Sequence, residues 1–517
     1  MLTNQKIISS NSINSKNINS NSILQKRTII FLFCIGFISI LYSFNFKIES
    51  LGIPNTVAKW IIDNHSIPKT DVFSWLSYRG SLSFITHDWL SDIIIFFLYS
   101  IAGYGGISFV CALLVFVFCV LAYLAGGKDI TYNTIWAVFF FALFVIAFKN
   151  HTYLNADTLV FFLIFAELFI LYRYMQEESG IIWFLPLIGC LWANIQGSTS
   201  NLSYLISFLF VLAHMFDKSF GKVQFKKASK AFLGKAFLAT LLCIFAICIN
   251  PYGMKMLSFP FTYKDGINFS MIFASYAAVD AKNFMHLVCY FVPLFFVTAH
   301  LITTKKKIRG FDFIIFAIFA FLVFRSMKNI NMFMITSSFY VFHYTLPYKD
   351  IAIGKLTLPN IGAKIANTAT AFAVVFAITG IIAGIVLHIY AGKNNNNFYL
   401  SKYAISFVKD EQPQALFNNI DFSAELIENY IPVFIDTRVS VYGKKNFTNY
   451  LRLSSAVYSE KYNFKNDSFM TEIIDTYNFD AFLVKKTDPL YAYLVSFPDK
   501  YDLAYSDDKA AYFRIIE

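Results

Sequence analysis

Charge is scarce in this sequence. Only 15% of its 517 residues are Asp, Glu, Lys or Arg, against 57% hydrophobic and 19% aromatic. A soluble chain of that length needs far more polar surface, so the composition excludes a cytosolic globular enzyme and indicates a polytopic membrane protein. Cysteine is also sparse. The seven present (Cys34, Cys111, Cys119, Cys190, Cys243, Cys248 and Cys289) lie in or beside apolar segments, with none in the C-terminal tail, which offers no disulfide framework and no zinc spacing. The eight histidines are scattered without metal spacing. A Walker-type glycine loop, a dinucleotide fingerprint, a Gly-x-Ser-x-Gly elbow and a His-Glu-x-x-His helix are all missing, which removes the nucleotide-dependent, hydrolase and metalloprotease readings.

The charge that is there has a pattern. The formal net charge is +11, but Lys and Arg collect in short loops between apolar runs, as at Lys218/Lys222/Lys226/Lys227/Lys230/Lys235 and Lys305/Lys306/Lys307/Arg309. That is the positive-inside distribution of a membrane protein, and it excludes nucleic acid as the partner. Residues 1–27 form an Asn/Ser/Ile-rich, polar segment expected to be a disordered cytoplasmic N-terminus. The apolar run after it ends "LYSFNFKIES" without a small-residue cleavage site, so a retained first helix is expected.

Taking about 20 apolar residues as one crossing, spans are expected near 28–45, 106–126, 132–148, 157–173, 181–197, 200–216, 235–250, 285–303, 311–325, 330–346 and 364–391. The expected fold is an α-helical polytopic membrane protein of about 11 transmembrane helices with a small C-terminal α/β domain. The transmembrane domain covers 28–391, with its first outer loop at 46–105, and the extracytoplasmic domain covers 392–517. The apolar segment His87 to Gly103 is short and opens on Asp88 and Asp92. If it crossed, the basic clusters would face outside, so it is read as an interfacial amphipathic helix. This orientation places the N-terminus in the cytoplasm and the C-terminal domain on the extracytoplasmic side of the membrane. In that domain "PVFIDT", "DAFLVKK", "YDLAYS" and "AAYFRII" read as strands, with helices around 447–459 and 468–476.

Most polar groups then fall on the outer face. Asp63, Asp71, Asp88 and Asp92 share the first loop with His87, Arg79, Trp60, Trp75 and Trp89. Carboxylates there suit base catalysis on an acceptor hydroxyl, or hold a divalent cation against a phosphate leaving group; solvated loop residues and helix caps, as at Thr70 or Asp71, are the plainer alternative. Tryptophans stack on sugars or anchor at the interface. Asp157 opens a helix after Lys149, Asn150, His151 and Asn155, and serves either the helix dipole or a substrate. Glu167, deeper in that helix, is an intramembrane acid. Asn194, Gln196 and Gly197 after Trp192, and Asn250 to Gly253 with Tyr252, end spans where backbone groups need a partner, as C-caps or ligand contacts. Arg325, Lys328 and Asn329 lie at an outer boundary that orientation bias does not explain, where cations clamp a lipid phosphate or snorkel to headgroups.

The order of these pieces resembles the GT-C class of membrane glycosyltransferases, in particular a bacterial branch with an architecture like that of the protein mannosyltransferases. The resemblance rests on Pro68, Asp71, Phe73, Ser74 and His87 to Leu90; on Trp192, Asn194 and Gly197; on Asn250 to Gly253; on Arg325, Ser326, Lys328 and Asn329; and on Phe434, Ile435, Asp436, Arg438 and Tyr442. It covers about residues 28–517 and is specific as a set. It implies a lipid-linked (polyprenyl-phosphate) sugar donor, a glycan, lipid or protein acceptor, inversion at the anomeric carbon, a catalytic carboxylate in the first outer loop, and a second acid matched by Asp157. Glu49 stands where many relatives carry Asp, Gln196 where His is usual, and Lys328 where Arg is usual. The expected activity is glycosyl transfer, with Asp71, Asp88 or Glu49 as base and Arg325 with Lys328 on the leaving phosphate. His87, Trp89, Asp157, Asn194, Gln196, Asn250, Tyr252 and Asn329 complete the expected substrate contacts. A flippase of lipid-linked glycans and a non-catalytic envelope assembly factor are the alternatives.

Overall fold

The computed structural model describes residues 52–101, 103, 110, 156–262, 278–280, 282–303, 307–344, 399–455 and 468–516. The spans expected near 28–45, 132–148 and 364–391, and all but residue 110 of 106–126, lie outside these residues, as do residues 1–27, Glu49, Lys149, Asn150, His151 and Asn155. The count of about 11 helices is therefore not established.

An apolar run satisfies its own backbone only as a helix when lipid surrounds it, and the described runs are helical. The first loop contributes α1 (Gly52–Asn64), α2 (Trp75–Arg79) and α3 (Trp89–Ile101). The bundle follows with α4 (Ala156–Glu177), α5 (Leu185–Ile195), α6 (Asn201–Ala213), α7 (Lys230–Ile247), α8 (Lys255–Thr262), α9 (Val292–Thr303), α10 (Gly310–Arg325) and α11 (Ile330–Tyr344). Among the described residues two helices, α4 and α7, are long and apolar enough by themselves to cross a membrane. Polar turns interrupt some of the others: "QGSTS" separates α5 from α6, and "SMKN" separates α10 from α11. Helix α3 lies within the segment His87 to Gly103 expected at the interface and begins two residues later; residues 102 and 104–109, next to its end, lie outside the described residues.

The bundle core is aromatic. Tyr174, Phe210, Phe311, Phe319, Phe333 and Trp192 are fully buried in it. Tyr174 stacks on Phe232 at 4.4 Å and Phe210 meets Phe311 edge-on at 5.1 Å. Short strands β1 (Lys218–Phe220), β2 (Val223–Phe225) and β3 (Ile308–Arg309) tie two loops together at one end of the bundle. Strand β2 pairs antiparallel with β1 and parallel with β3.

The C-terminal unit contains α12 (Lys402–Glu411), β4 (Leu416–Asn418), α13 (Ser423–Glu428), α14 (Val439–Ser455), α15 (Ser468–Tyr477), β5 (Ala481–Lys485), α16 (Pro489–Val495), β6 (Tyr501–Ser506) and β7 (Ala510–Ile515). Its sheet has the order β4-β5-β7-β6. Three of the four stretches expected as strands are β5, β6 and β7. The fourth, "PVFIDT", is not a strand. It runs extended, and its backbone pairs with the first loop: Val433 N–H donates to Phe73 O at 3.1 Å, and Trp75 N–H donates to Val433 O at 3.1 Å.

That pairing makes the first loop part of the C-terminal unit. Ile53, Val57, Ile61, Phe73, Trp75 and Phe84 are buried in one core with Phe417, Phe434, Phe479 and Phe482. The sequence boundary after residue 391 therefore separates chain segments but not packing units. The polar centre of the joint is Arg438, whose guanidinium meets Asp71 at 2.8 Å and Asp436 across three further hydrogen bonds. It lies between the rings of Phe73 (4.9 Å) and Phe84 (4.7 Å). Tyr442 donates its hydroxyl to Asp436 at 2.7 Å. Burial opposes the charge on Arg438, but Asp436, Tyr442 and Asp71 outweigh it and hold the guanidinium protonated.

Asp71, expected as a catalytic carboxylate, is only 3% exposed. Besides Arg438 it accepts from the N–H groups of Phe73 and Ser74 and from the Ser74 hydroxyl. A carboxylate enclosed by that many donors has no free lone pair facing solvent, so its place in the structure is that of an anchor. In full-length protein in detergent, Asp71→Asn is expected to cost about 3 kcal/mol, the low end for breaking a buried pair because Asp436 remains. The readout is a lowered melting temperature, with exposed Asp63→Asn as control; equal melting of the two variants would remove the anchoring role.

Candidate active site at one end of the helix bundle

The polar ends of α4, α5, α7 and α10 meet beneath the start of α3. Asp157 lies in the first turn of α4, where a negative charge answers the helix dipole. Its carboxylate accepts a hydrogen bond from Gln196 Nε2 and faces Lys328 Nζ at 3.6 Å. The side chains are 13% and 22% exposed. Gln196 ends α5, with its N–H donating to Trp192 O at 2.8 Å. Its side-chain oxygen accepts from Thr199 Oγ1 at 2.8 Å, which in turn accepts from Trp192 Nε1 at 3.1 Å. Lys328 sits in the tight turn Met327–Asn329 between α10 and α11. Thus three chain segments position one acid, one amide and one ammonium.

His87 and Asp88 lie next to this group. Gly197, which follows Gln196, donates its N–H to His87 O at 2.7 Å, and a Cβ on Gly197 would come within 2.2 Å of Met256 Sδ and 3.3 Å of His87 Cβ. The absence of a side chain lets the loop approach that closely. His87 Nδ1 is buried, without a hydrogen-bond partner among the described residues, 3.8 Å from Asp88 Oδ1. The Asp88 side chain is 37% exposed, so among the described first-loop acids it combines access to solvent with proximity to the Gln196 turn. Asp63 is exposed on α1 and lines a separate groove with Trp60, Tyr78 and Tyr430.

Other expected substrate contacts are engaged in holding the loop. Trp89 Nε1 donates to Asn194 Oδ1 at 3.0 Å, while Asn194 Nδ2 donates to Cys190 O and Ile249 O, both at 2.8 Å. Asn250 folds its own turn by accepting from Tyr252 N–H at 2.7 Å, and Gly253 follows in the left-handed region at φ 57°. Tyr252 accepts from Thr86 N–H at 2.8 Å and donates to Pro68 O at 3.2 Å. Asn329 donates to Leu322 O at 3.0 Å and so caps α10. Arg325 is exposed on the last turn of α10 and, among the described residues, takes part in no hydrogen bond or ion pair with the Asp157 group. Thr199 and Arg438 were not singled out as candidates; the Gln-x-x-Thr spacing across a helix end is the signal that points to the first. Among the described residues no three of His, Cys, Asp and Glu are grouped as a metal ion would require.

No family model and no curated protein matches the sequence. Solved structures do match in fold. The oligosaccharyltransferase of Archaeoglobus fulgidus, tethered through a disulfide to an acceptor peptide containing the NVT sequon, aligns at a TM-score of 0.51 and 11% identity over 95% of this chain and 74% of that one. Its apo form aligns at 0.50 and 11%, over 90% and 71%. The same enzyme, AglB, in complex with an inhibitory peptide and a dolichol-phosphate aligns at 0.51 and 11%, over 90% and 71%. The fold is of the GT-C type. In this fold the described helix ends and the first loop converge at one end of the bundle.

One acid at this end stands apart. Asp92 lies one turn after Asp88 on α3 and is buried. Burial first, and the Asp88 charge second, push its carboxyl well above the ordinary value of 3.8, with Arg438 opposing. The folded protein therefore keeps a proton that the unfolded chain releases, so this group's contribution to stability is present at low pH and declines as pH rises through the folded value. The melting temperature is expected to fall from about pH 5 to about pH 8 less steeply in Asp92→Asn than in the parent protein. Equal slopes would show that Asp92 is charged in the fold.

Proposed function

We propose that the protein is a membrane glycosyltransferase that moves a sugar from a polyprenyl-phosphate carrier to an acceptor on the extracytoplasmic side. The observation that supports it is the meeting of Asp157, Gln196 and Lys328 with the His87–Asp88 pair at one end of a GT-C fold. In this reading Asp88 takes the proton of the acceptor nucleophile as its oxygen or nitrogen bonds to the anomeric carbon. The bond from that carbon to the carrier's phosphate breaks, and the polyprenyl phosphate leaves with the electron pair. Lys328 offsets the charge that develops on it. Asp157 and Gln196 position the ammonium, and Thr199 orients the amide. The carrier's apolar tail stays among the helices, in a bacterial inner membrane whose cytoplasmic side carries the basic loops. Envelope glycan, lipid or protein would each serve as acceptor.

A second reading is a non-catalytic assembly factor, favoured by the enclosure of Asp71, the first-loop acid of the "PKTDVFS" motif, in the Arg438 joint. The two are separated by measuring turnover of a radiolabelled polyprenyl-phosphate sugar with the purified chain in vesicles. Asp88→Asn is expected to lower turnover by about 10²- to 10⁴-fold, and Lys328→Met by about 10²-fold, both with unchanged melting. Asp157→Asn is expected to act on the same step through Lys328. Turnover and surface glycans that are indifferent to all three would leave the assembly role.

A further inference from the structure

The other end of the bundle holds a second site. Helix α4 has 22 residues, so its last turn lies about 26–30 Å from Asp157. There the ends of α4 and α6 and the starts of α7 and α10 surround a cavity of about 540 Å³, within the size range of small-ligand sites. Its lining includes Lys226, Lys227, Lys307 and Arg309 against one acid, Glu178. Lysines arranged only to orient a chain in the membrane have no reason to converge on one cavity.

The fold fixes that convergence. Strands β2 and β3 pair in parallel, Val223 with Ile308 and Gln224 with Arg309, which brings the 226–227 and 307–309 segments onto shared walls. Gly310 lets the start of α10 lie against Phe225, where a Cβ would come within 2.2 Å of the ring. Ala228 N–H donates to His214 O at 2.9 Å and closes the side toward α6. The first turn of α10 carries buried Asp312, which answers the positive end of the helix, so the field in the cavity comes from the four cations on its wall. Exposed Met215 and Phe216 follow α6 at the same level, an apolar edge along which acyl chains can lie.

We infer that this cavity binds the phosphodiester headgroup of an anionic phospholipid at the membrane boundary remote from the candidate active site. The charge selects a net anionic headgroup over a zwitterionic one, in which an ammonium offsets the same phosphodiester, and the apolar edge selects a lipid over a soluble anion. The inference stands independently of the transfer reaction.

The test uses the full-length protein in neutral detergent, melted with mixed micelles of phosphatidylglycerol or phosphatidylcholine at matched mole fraction. Phosphatidylglycerol is expected to raise Tm above phosphatidylcholine. Lys226→Gln together with Lys307→Gln, both on exposed side chains, is expected to weaken phosphatidylglycerol binding by about fivefold per lysine. Lys218→Gln with Lys235→Gln, which lie off the cavity wall, is expected to leave the preference intact. No preference for phosphatidylglycerol, or a preference equally affected by both pairs, would overturn the site. A Tm rise of the same size with millimolar inorganic phosphate alone would overturn the lipid assignment in favour of a soluble anion.

Discussion

The arrangement at the site end depends on one buried guanidinium. Taking Arg438 out of water costs several kcal/mol unless partners replace its hydration, and Asp436 and Asp71 do so from opposite sides in sequence. Asp436 is local to it, so the pairing that carries structural information is the one with Asp71, far earlier in the chain. It selects one docking of the first loop on the C-terminal unit. The backbone bonds of Phe73 and Trp75 with Val433 are in register with it. From that joint the loop runs to Tyr252, which holds Thr86 and Pro68, and to Asn194, which holds Trp89. His87 and Asp88 lie between these two fixed points. Their position over the helix ends therefore follows from contacts on either side of them, and one of those contacts runs back through the loop to Arg438.

The helices were legible because lipid leaves an apolar run few alternatives, and their bounds in the bundle fall close to the hydropathy. Strands β5, β6 and β7 were legible for a similar reason: their residues alternate or run apolar within one sheet. "PVFIDT" has the same composition and still is not a strand, because its backbone pairs with Phe73 and Trp75 of the first loop and meets β4 only through the Asn418 side chain, which holds Phe434 N–H and Ile435 O. Local pattern says how a segment wants to extend and not which segment it will meet. Strand β4 was missed for the complementary reason. "LFN" is too short to show a period, and its strand character comes from the register with Ala481, Phe482 and Leu483.

At the site the residue types were legible and their division of labour was not. Acidic residues in a loop between apolar segments read as solvent-facing, and Asp88 is. Asp71 and Asp92 are not, because a partner far off in sequence supplies the shielding or the charge that an isolated reading cannot see. Asn194, Asn250 and Asn329 read equally as caps or ligand contacts. The structure uses their amides on backbone carbonyls and on one another's segments, which is what a helix end buried against a loop requires. Asp157, Gln196 and Lys328 meet because three helices end at one level. Gln196 keeps a neutral donor toward Asp157 at every pH, so the pairing is free of a titration that an imidazole in its place would add.

Glu167 tests whether the two ends of the bundle communicate through α4. It is ten residues from Asp157, about 15 Å along the axis and roughly 80° round it, and it reaches neither the site nor the basic cavity. One carboxyl oxygen accepts from Ser207 Oγ at 2.8 Å, while the other has no hydrogen-bond partner among the described residues. A half-satisfied acid between apolar helices adds little net stability. What it does supply is register: sliding α6 by one turn would put in place of Ser207 either Val211, which has no donor, or Ser203, whose hydroxyl would have to leave Ser200 O, whereas the surrounding Leu, Ile and Phe contacts would re-form at small cost. The acid in the middle of α4 thus fixes the level of α6 relative to α4. With it is fixed the level of Thr199 and Gln196 just before α6, beside Asp157.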